Sequence, residues 1–255
     1  MKKFIVFYLL ILSVLVFSAA LNAEQTGAPA IEPMADQTLK QMSEYMNTLD
    51  QFTFHVENTT DIVLVSGHKM QVGSAVDVSV RRPDRLHADV KGDIRSQQFF
   101  YNGKTITLFG RKVNYYATME AASTIEAAFD TARERFGLVA PAGDLVCKNS
   151  YDVLTESVNS GYYLGLHNVH GVECHHLIFS QDNIDWQIWI ENSKTPLPRK
   201  LIITEKWVTG GPQFTAVMSD WNLSPQLKDN LFTFIPPDKA EKIEFLPADK
   251  TGTDR

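Results

Sequence analysis

Residues 171–204 have the sequence GVECHHLIFSQDNIDWQIWIENSKTPLPRKLIIT, which predicts three consecutive strands with their turns. Alternate residues share one face of a strand, so an apolar residue at every second position indicates a buried face. The segment is therefore expected to form the centre of an antiparallel sheet. The residues with this spacing are Trp186, Ile188, Ile190, Leu201 and Ile203.

The second face of this predicted sheet is also partly apolar. By the same alternation we assign Leu177, Phe179, Trp189 and Ile202 to it. A sheet with apolar residues on both faces needs cover on both, so we expect helices or a ligand to bury each face at least in part.

The rest of the chain predicts helices and further strands. An apolar stripe over residues 35–50 indicates an amphipathic helix, and the capping-box pattern Ser123–Glu126 precedes a second helix that ends near Phe136. Between them, and again before and after residues 171–204, the apolar period is two, and Asn102–Gly103 is the preferred dipeptide of a tight hairpin. The order helix, meander, helix, meander predicts an α+β chain of about ten strands, with helices over one face of a twisted antiparallel sheet.

The end of the chain predicts one more strand. Phe232 and Phe234 alternate before Pro236 and Pro237, which cannot donate to further pairing.

The first residues predict a secretory signal peptide. Lys2 and Lys3 precede an apolar run that is short for a membrane-spanning helix, so a cleaved signal peptide is favoured. An uncleaved membrane anchor is the alternative. No cysteine follows the expected cleavage point, so a lipid-anchored start is not predicted. The expected organisation is a signal peptide at 1–23, a flexible leader at 24–33, a single domain at 34–247 and a disordered tail at 248–255.

The charge of the chain argues against nucleic acid as a partner. The chain has 24 Lys and Arg residues, and 22 of them remain when Lys2 and Lys3 of the expected signal peptide are left out. With 30 Asp and Glu residues, the expected mature chain has a formal net charge of −8. A phosphate backbone favours clustered cations, and here they are scattered among acids.

We expect a periplasmic monomer without stable membrane insertion after cleavage of the signal.

Cys147 and Cys174 are the two cysteines of the chain. In an oxidising compartment a disulfide between them is favoured, and in the chain-entropy model it contributes roughly 3–4 kcal/mol. A reactive thiol or a metal ligand is the alternative.

Several segments resemble a family of predicted bacterial periplasmic proteins of unknown function and, more remotely, the LolA/LolB/LppX superfamily of lipoprotein carriers and lipid-binding lipoproteins. The family resemblance rests on GVECHHLIF, DWQIWI, LPRKLIIT, SDWNLSP and LFTFIPP, in this order. The superfamily resemblance rests on the turn Arg82–Arg85, the hairpin Tyr101–Gly103 and the pair Leu197–Pro198.

This resemblance implies an incomplete β-barrel of about eleven antiparallel strands whose concave face is closed by helices over an apolar cavity. In the carriers such a cavity shelters acyl chains, so the expected ligand is a lipid, a lipoprotein acyl chain or another apolar molecule, with no cofactor. From strand alternation, the expected cavity wall comprises Phe52, Phe54, Val76, Val78, Leu86, Ile188 and Ile190. The alternative is an interaction or sensor module that recognises an envelope protein.

A third hypothesis is a metal-dependent enzyme. His167, His170, Cys174, His175 and His176 form the one dense cluster of soft ligands in the chain, but a tetrahedral site needs three or four to converge. Asp182, Asp185 and Glu191 offer general acids and bases, yet no recognisable catalytic motif accompanies them, so no catalytic or metal residue is predicted. Most of Trp186, Trp189, Trp207 and Trp221 are expected in the core.

Overall fold

The computed structural model describes residues 30–248, which form a curved antiparallel sheet of twelve strands with helices on its concave face. The expected signal peptide, most of the expected leader and all but the first residue of the expected tail lie outside the described residues.

Three α-helices and two short 3₁₀ turns accompany the strands. The helices are α1 Pro33–Asn47, α2 Ile125–Phe136 and α3 Ser150–Thr155, and the turns are Gly143–Val146 and Asp229–Phe232. The strands are β1 Gln51–Val63, β2 Lys69–Arg81, β3 Arg85–Gly92, β4 Ser96–Tyr101, β5 Thr105–Gly110, β6 Tyr115–Glu120, β7 Ser160–Val169, β8 Val172–Ser180, β9 Ile184–Glu191, β10 Pro198–Glu205, β11 Gln213–Asn222 and β12 Glu241–Ile243.

The strands follow the order β12-β6-β5-β4-β3-β2-β1-β11-β10-β9-β8-β7, and every pair is antiparallel except the short β12, which runs parallel to β6. Two meanders, β1–β6 and β7–β11, are thus joined side by side through β1 and β11. The sheet remains open between β12 and β7, which confirms the predicted α+β incomplete barrel.

Antiparallel connections place the turns at two ends of the sheet. We call the end with the β1–β2, β3–β4, β5–β6, β8–β9 and β10–β11 turns the tip end. The β2–β3, β4–β5, β7–β8 and β9–β10 turns lie at the opposite end, which we call the latch end.

The main core lies between the concave face and the helices. Leu39, Met42 and Met46 form the buried stripe of α1, as the sequence spacing predicts. Helix α2 begins where the Thr124 hydroxyl accepts a hydrogen bond from the Ala127 N–H, and it ends at Gly137, whose left-handed backbone suits glycine.

The face assignment of two residues is wrong. Phe179 lies directly opposite Trp186 and Leu177 opposite Ile188, so all four share the concave face. The convex face keeps Trp189, with Ile202 packed beside it.

The predicted disulfide is also wrong, because both cysteines are free and buried in different clusters. Cys147 belongs to the main core, whereas Cys174 packs with Val169 and Trp189 on the convex face. The sheet therefore separates the two thiols.

The predicted last strand is absent from residues 231–235, which leave a 3₁₀ turn and cross the convex face unpaired. Phe234 lies between the rings of Phe109, at 5.3 Å, and Tyr116, at 5.0 Å. The chain then forms β12 and returns to the helices, where Phe245 lies 5.3 Å from Phe136.

Candidate functional site

In strands β1 to β5 the apolar side chains of the concave face are most buried near the latch end, whereas in β8 and β9 Phe179 and Trp186 are buried close to the tip end. One row across five strands consists of Phe52, Val80, Leu86, Tyr101 and Ile106, aligned by the strand register and fully or almost fully buried. Helices cover this row, since its members share one packed cluster with α1 and α2.

The next two rows toward the tip end are less buried on β2, β3 and β4. Val78, Ala88 and Phe99 pair across β2, β3 and β4 and are half-buried. Val76, one row further, is half-buried too. Beyond it Ser74 pairs with Asn58 and interrupts the apolar surface of β1 and β2, which resumes at Val72.

The second meander continues this floor on the other side of β1. Ile203 and Phe214 pair across β10 and β11, and both are half-buried against the main core. Trp221 stacks on Phe54 with ring centroids 4.4 Å apart, closer to the latch end. We call the half-buried residues Val76, Val78, Ala88, Phe99, Ile203 and Phe214 the open floor.

The seven expected wall residues all lie on the concave face. The helices bury Phe52, Phe54, Leu86, Ile188 and Ile190, whereas Val76 and Val78 belong to the open floor. Their role in holding a ligand stays a prediction. The strand alternation chose the correct face but could not reveal which part of it the helices fill.

Arg82, in the β2–β3 turn, holds the helices against the latch end. Its guanidinium donates hydrogen bonds to the carbonyl oxygens of Met46 and of Leu49, the latter at 2.9 Å, at the end of α1. It also donates to the carbonyl oxygens of Val146 at 2.9 Å and Cys147 at 3.2 Å, after the first 3₁₀ turn. One side chain thus joins two segments that cover the concave face.

Burial governs the electrostatics around Arg82. The side chain is 8% exposed, and this burial lowers the pKa of its guanidinium, while the negative charge of Glu126 opposes the change. Burial also raises the pKa of the neighbouring Cys147 thiol to about 12, so the thiol is neutral and poorly nucleophilic at neutral pH. The sequence singled out Arg82 as part of a turn motif and missed this function, because its four carbonyl partners come from distant segments.

The histidine cluster divides between the two faces. On the concave face, the Nδ1 atom of His175 lies 2.9 Å from the hydroxyl oxygen of Tyr163. On the convex face, the Nδ1 atoms of His167 and His176 are 2.7 Å apart, and His176 stacks on Trp189. Within residues 30–248, no group of three or more His, Cys, Asp or Glu side chains is arranged to hold a metal ion.

The candidate acids and bases are each engaged with a neighbour. Asp182 accepts a hydrogen bond from Asn159, Asp185 accepts one from Ser180 at 2.7 Å, and Glu191 pairs with Arg199. They are spread over the β8–β9 turn and β9, and they do not converge on one point of a cleft.

A shallow depression of about 410 Å³ separates α1 from the β9–β10 turn at the latch end. Tyr45 and Ile190 contribute apolar surface to it, and Glu44, Lys194 and His175 contribute polar groups. It is open to solvent and lies apart from the open floor.

No helix within residues 30–248 is long and apolar enough to cross a membrane.

Comparisons with known proteins agree with the fold. A family model described as "Predicted periplasmic protein (DUF2092)" matches residues 35–246. An uncharacterized conserved protein from Thermus thermophilus is similar in structure, with a TM-score of 0.50 and 9% identity over 83% of this chain and 99% of that chain.

Two further structures are similar at a lower level. The lipoprotein LppX from Mycobacterium tuberculosis has a TM-score of 0.48 and 14% identity over 77% of this chain and 99% of that chain. A LolA superfamily protein from Nitrosomonas europaea has a TM-score of 0.39 and 14% identity over 78% of this chain and 97% of that chain. No curated protein matches the chain.

Proposed function

Because the chain belongs to the DUF2092 family of predicted periplasmic proteins, we propose that it acts in the periplasm as a binding protein or carrier for an apolar ligand, a lipid or an acyl chain. The ligand lies along the open floor on the concave face. The proposal is of a binding protein and not of an enzyme.

The observation that carries the proposal is the change in burial along the concave face. Apolar rows continue from the filled core at Phe52 and Val80 to the half-buried Val78 and Val76 without an intervening polar residue. Partly exposed apolar surface in a concavity is the kind of surface that binds apolar molecules. An acyl chain placed there extends the core without disrupting it.

The helices supply the means to enlarge this site. Arg82 is one polar connection between the end of α1 and the segment at Val146 and Cys147. Ser43 of α1 also bonds to Ser150 and Tyr151 at the start of α3. Much of the remaining cover packs on the sheet by apolar contact, which an apolar ligand replaces at little cost. Movement of the helices away from the sheet, which requires release of Arg82 from its carbonyl oxygens, exposes the deeper rows around Phe52 to a ligand.

Native mass spectrometry of the chain from Glu24 onward, purified gently from the periplasm, tests the proposal. We expect an added mass in the range of a lipid, which organic extraction removes. The variant Val78→Asp places a charge on the open floor and is expected to abolish the added mass, because a buried charge without a partner is costly. Val78→Trp fills the same space without a charge and is expected to have a similar effect.

The matched control is Ser79→Asp, since residue 79 neighbours Val78 but lies on the opposite face. It should retain the ligand. A parent protein of clean apo mass that takes up no offered lipid would refute the proposal and favour recognition of an envelope protein by the same half-barrel.

A further inference from the structure

Four of the five turns of the tip end expose a large apolar side chain, and the polar β8–β9 turn at residues 181–183 does not. Val65 in the β1–β2 turn is fully exposed, and Trp207 in the β10–β11 turn is 79% exposed. Val113 in the β5–β6 turn is 61% exposed, and Ile94 in the β3–β4 turn is 56% exposed. Exposed apolar side chains are ordinary when scattered, but a group on neighbouring turns needs a reason.

The opposite end provides an internal comparison. In the described residues, the β2–β3, β4–β5, β7–β8 and β9–β10 turns contain no exposed large apolar residue, and Leu197 of the β9–β10 turn is buried. Turns as a class therefore do not explain the four exposed side chains. Other exposed apolar residues, such as Tyr162, Leu166 and Ile235, lie along the β7 edge and the C-terminal segment.

Each exposed apolar residue has a cation nearby in the sequence. Arg95 follows Ile94, Lys112 precedes Val113, and Lys206 precedes Trp207, while Lys69 follows the turn that contains Val65.

The four cations differ in their partners. Lys69 pairs with Asp61 at 3.0 Å, and Lys206 lies 3.3 Å from Asp185. Among the described residues Arg95 has no carboxylate partner, and neither does Lys112, which donates to the backbone carbonyl of Asp93. At least two cations of the tip end are thus available to an external anion.

A depression beside two of the tips adds to this surface. It is open, has a volume of about 450 Å³ and is lined in part by Lys91 and Lys112. Glu57 and Asp93 also line it, and the Asp93 carboxylate accepts a hydrogen bond from the Gly73 N–H at 2.7 Å.

We propose that the tip end docks onto the surface of an anionic phospholipid bilayer. The apolar side chains, including Trp207, insert among the headgroups and upper acyl chains, where an amphipathic indole is favoured. Arg95 and Lys112 lie beside them and attract anionic headgroups, each strengthening binding by about fivefold. The combination of apolar tips with neighbouring cations selects a bilayer surface.

This inference goes beyond the proposed binding of an apolar ligand and does not rest on it. Docking uses side chains of the turns, whereas the ligand uses the open floor. Either can fail without the other.

Sedimentation with vesicles tests docking. We expect the chain from Glu24 onward to bind vesicles of phosphatidylcholine with 30% phosphatidylglycerol, and to bind pure phosphatidylcholine at least tenfold more weakly. The double variant Arg95→Gln/Lys112→Gln is expected to lose about 25-fold in affinity for the anionic vesicles. Salt should weaken binding of the parent chain, because screening reduces the attraction.

The fluorescence of Trp207 identifies the surface that makes contact. Trp186 and Trp189 are buried and Trp221 is half-buried, so Trp207 is the most exposed indole. We expect a blue shift on binding and quenching by lipids brominated on the upper acyl chain. Both signals should disappear in Trp207→Phe, whose binding persists because phenylalanine still inserts.

Two controls keep the test specific. Leu166→Asp changes an exposed apolar residue of the β7 edge and should bind as the parent does, whereas Val65→Asp should bind at least tenfold more weakly. Val78→Asp alters the open floor and should also bind as the parent does. Absence of binding to anionic vesicles, or binding without quenching of Trp207, would overturn the proposal.

Discussion

The latch end and the tip end of the sheet differ in what lies against the concave face. At the latch end, Arg82 joins the end of α1 to the segment before α3, and the apolar row at Phe52 is fully buried. At the tip end the helices leave the open floor half-buried, and the turns expose Val65 and Trp207. The comparison teaches that, along β1 to β5, the concave face of one continuous sheet passes from a row that the helices bury to rows whose apolar side chains stay partly exposed.

The largest effect that separates the two ends is expected at Arg82. Arg82→Ala leaves four buried carbonyl oxygens without their donor, and we expect it to lower the free energy of unfolding by about 3 kcal/mol. Urea denaturation of the parent and variant measures this loss. A matched change in the same turn is Arg85→Ala, which removes a partly exposed ion pair with Asp84 and should cost less than about 1 kcal/mol.

Thiol labelling under native conditions separates an opened cover from a general loss of stability. Cys147 lies under the segment that Arg82 holds, whereas Cys174 lies on the convex face. In Arg82→Ala, labelling of Cys147 should accelerate more than labelling of Cys174. Equal acceleration of the two thiols would contradict the distinction between the ends.

A smaller effect is expected when two valines of β2 are compared. Val80 is fully buried near the latch end, and Val76 is half-buried on the open floor. Val80→Ala should destabilise by about 2 kcal/mol, because it leaves a cavity in a packed core, and Val76→Ala by less than about 1 kcal/mol. Equal losses in urea denaturation would show that the floor is as tightly packed as the core.

The smallest effect concerns the pH dependence of stability near the latch end. Burial lowers the pKa of His87, and Arg111 adds to this while Asp89 opposes it. The unfolded chain therefore binds a proton at residue 87 more readily than the folded chain does. The contribution of His87 to the free energy of unfolding is thus present above about pH 6.5 and is lost as the pH falls through the lower folded pKa. His87→Gln should therefore flatten the loss of stability between pH 7.5 and 5.0 in urea denaturation.

His55 provides a control of opposite sign. Hydrogen bonds with the carboxylates of Asp77 and then Glu57 raise its pKa. Its contribution is present below about pH 6.5 and is lost as the pH rises through the higher folded pKa. His55→Gln should thus steepen the acid loss, and a change in the same direction as His87→Gln would refute both assignments.

The sequence predicts local elements well because their signals are local. The stripe of Leu39, Met42 and Met46 placed α1, and the capping-box pattern Ser123–Glu126 with Gly137 placed α2, whose N-cap is Thr124. The pairing of neighbouring strands followed from short turns such as Asn102–Gly103.

The errors arise where two distant segments must be aligned. Alternation within β8 could not show that Phe179 faces the same side as Trp186, because that depends on the register between strands. The same limit explains the wrong disulfide, since Cys147 and Cys174 are separated by the sheet. Phe234 alternated like a strand residue, yet no strand lies beside it to accept pairing.

The open floor was predicted only in part for a related reason. Val76 and Val78 were expected on the cavity wall, but Ile203 and Phe214 joined them through the pairing of β10 with β11 and of β1 with β11. How far the helices extend over the floor depends on Arg82 and its carbonyl partners, which no local pattern encodes.

The pairing of β1 with β11 has a consequence for the timing of folding. Val56 near the start of the domain aligns with Met218 near its end, so the two meanders cannot join until almost the whole chain has been made. Contacts between such distant segments form slowly. The union of the two meanders is therefore expected to be a late step in the folding of this domain.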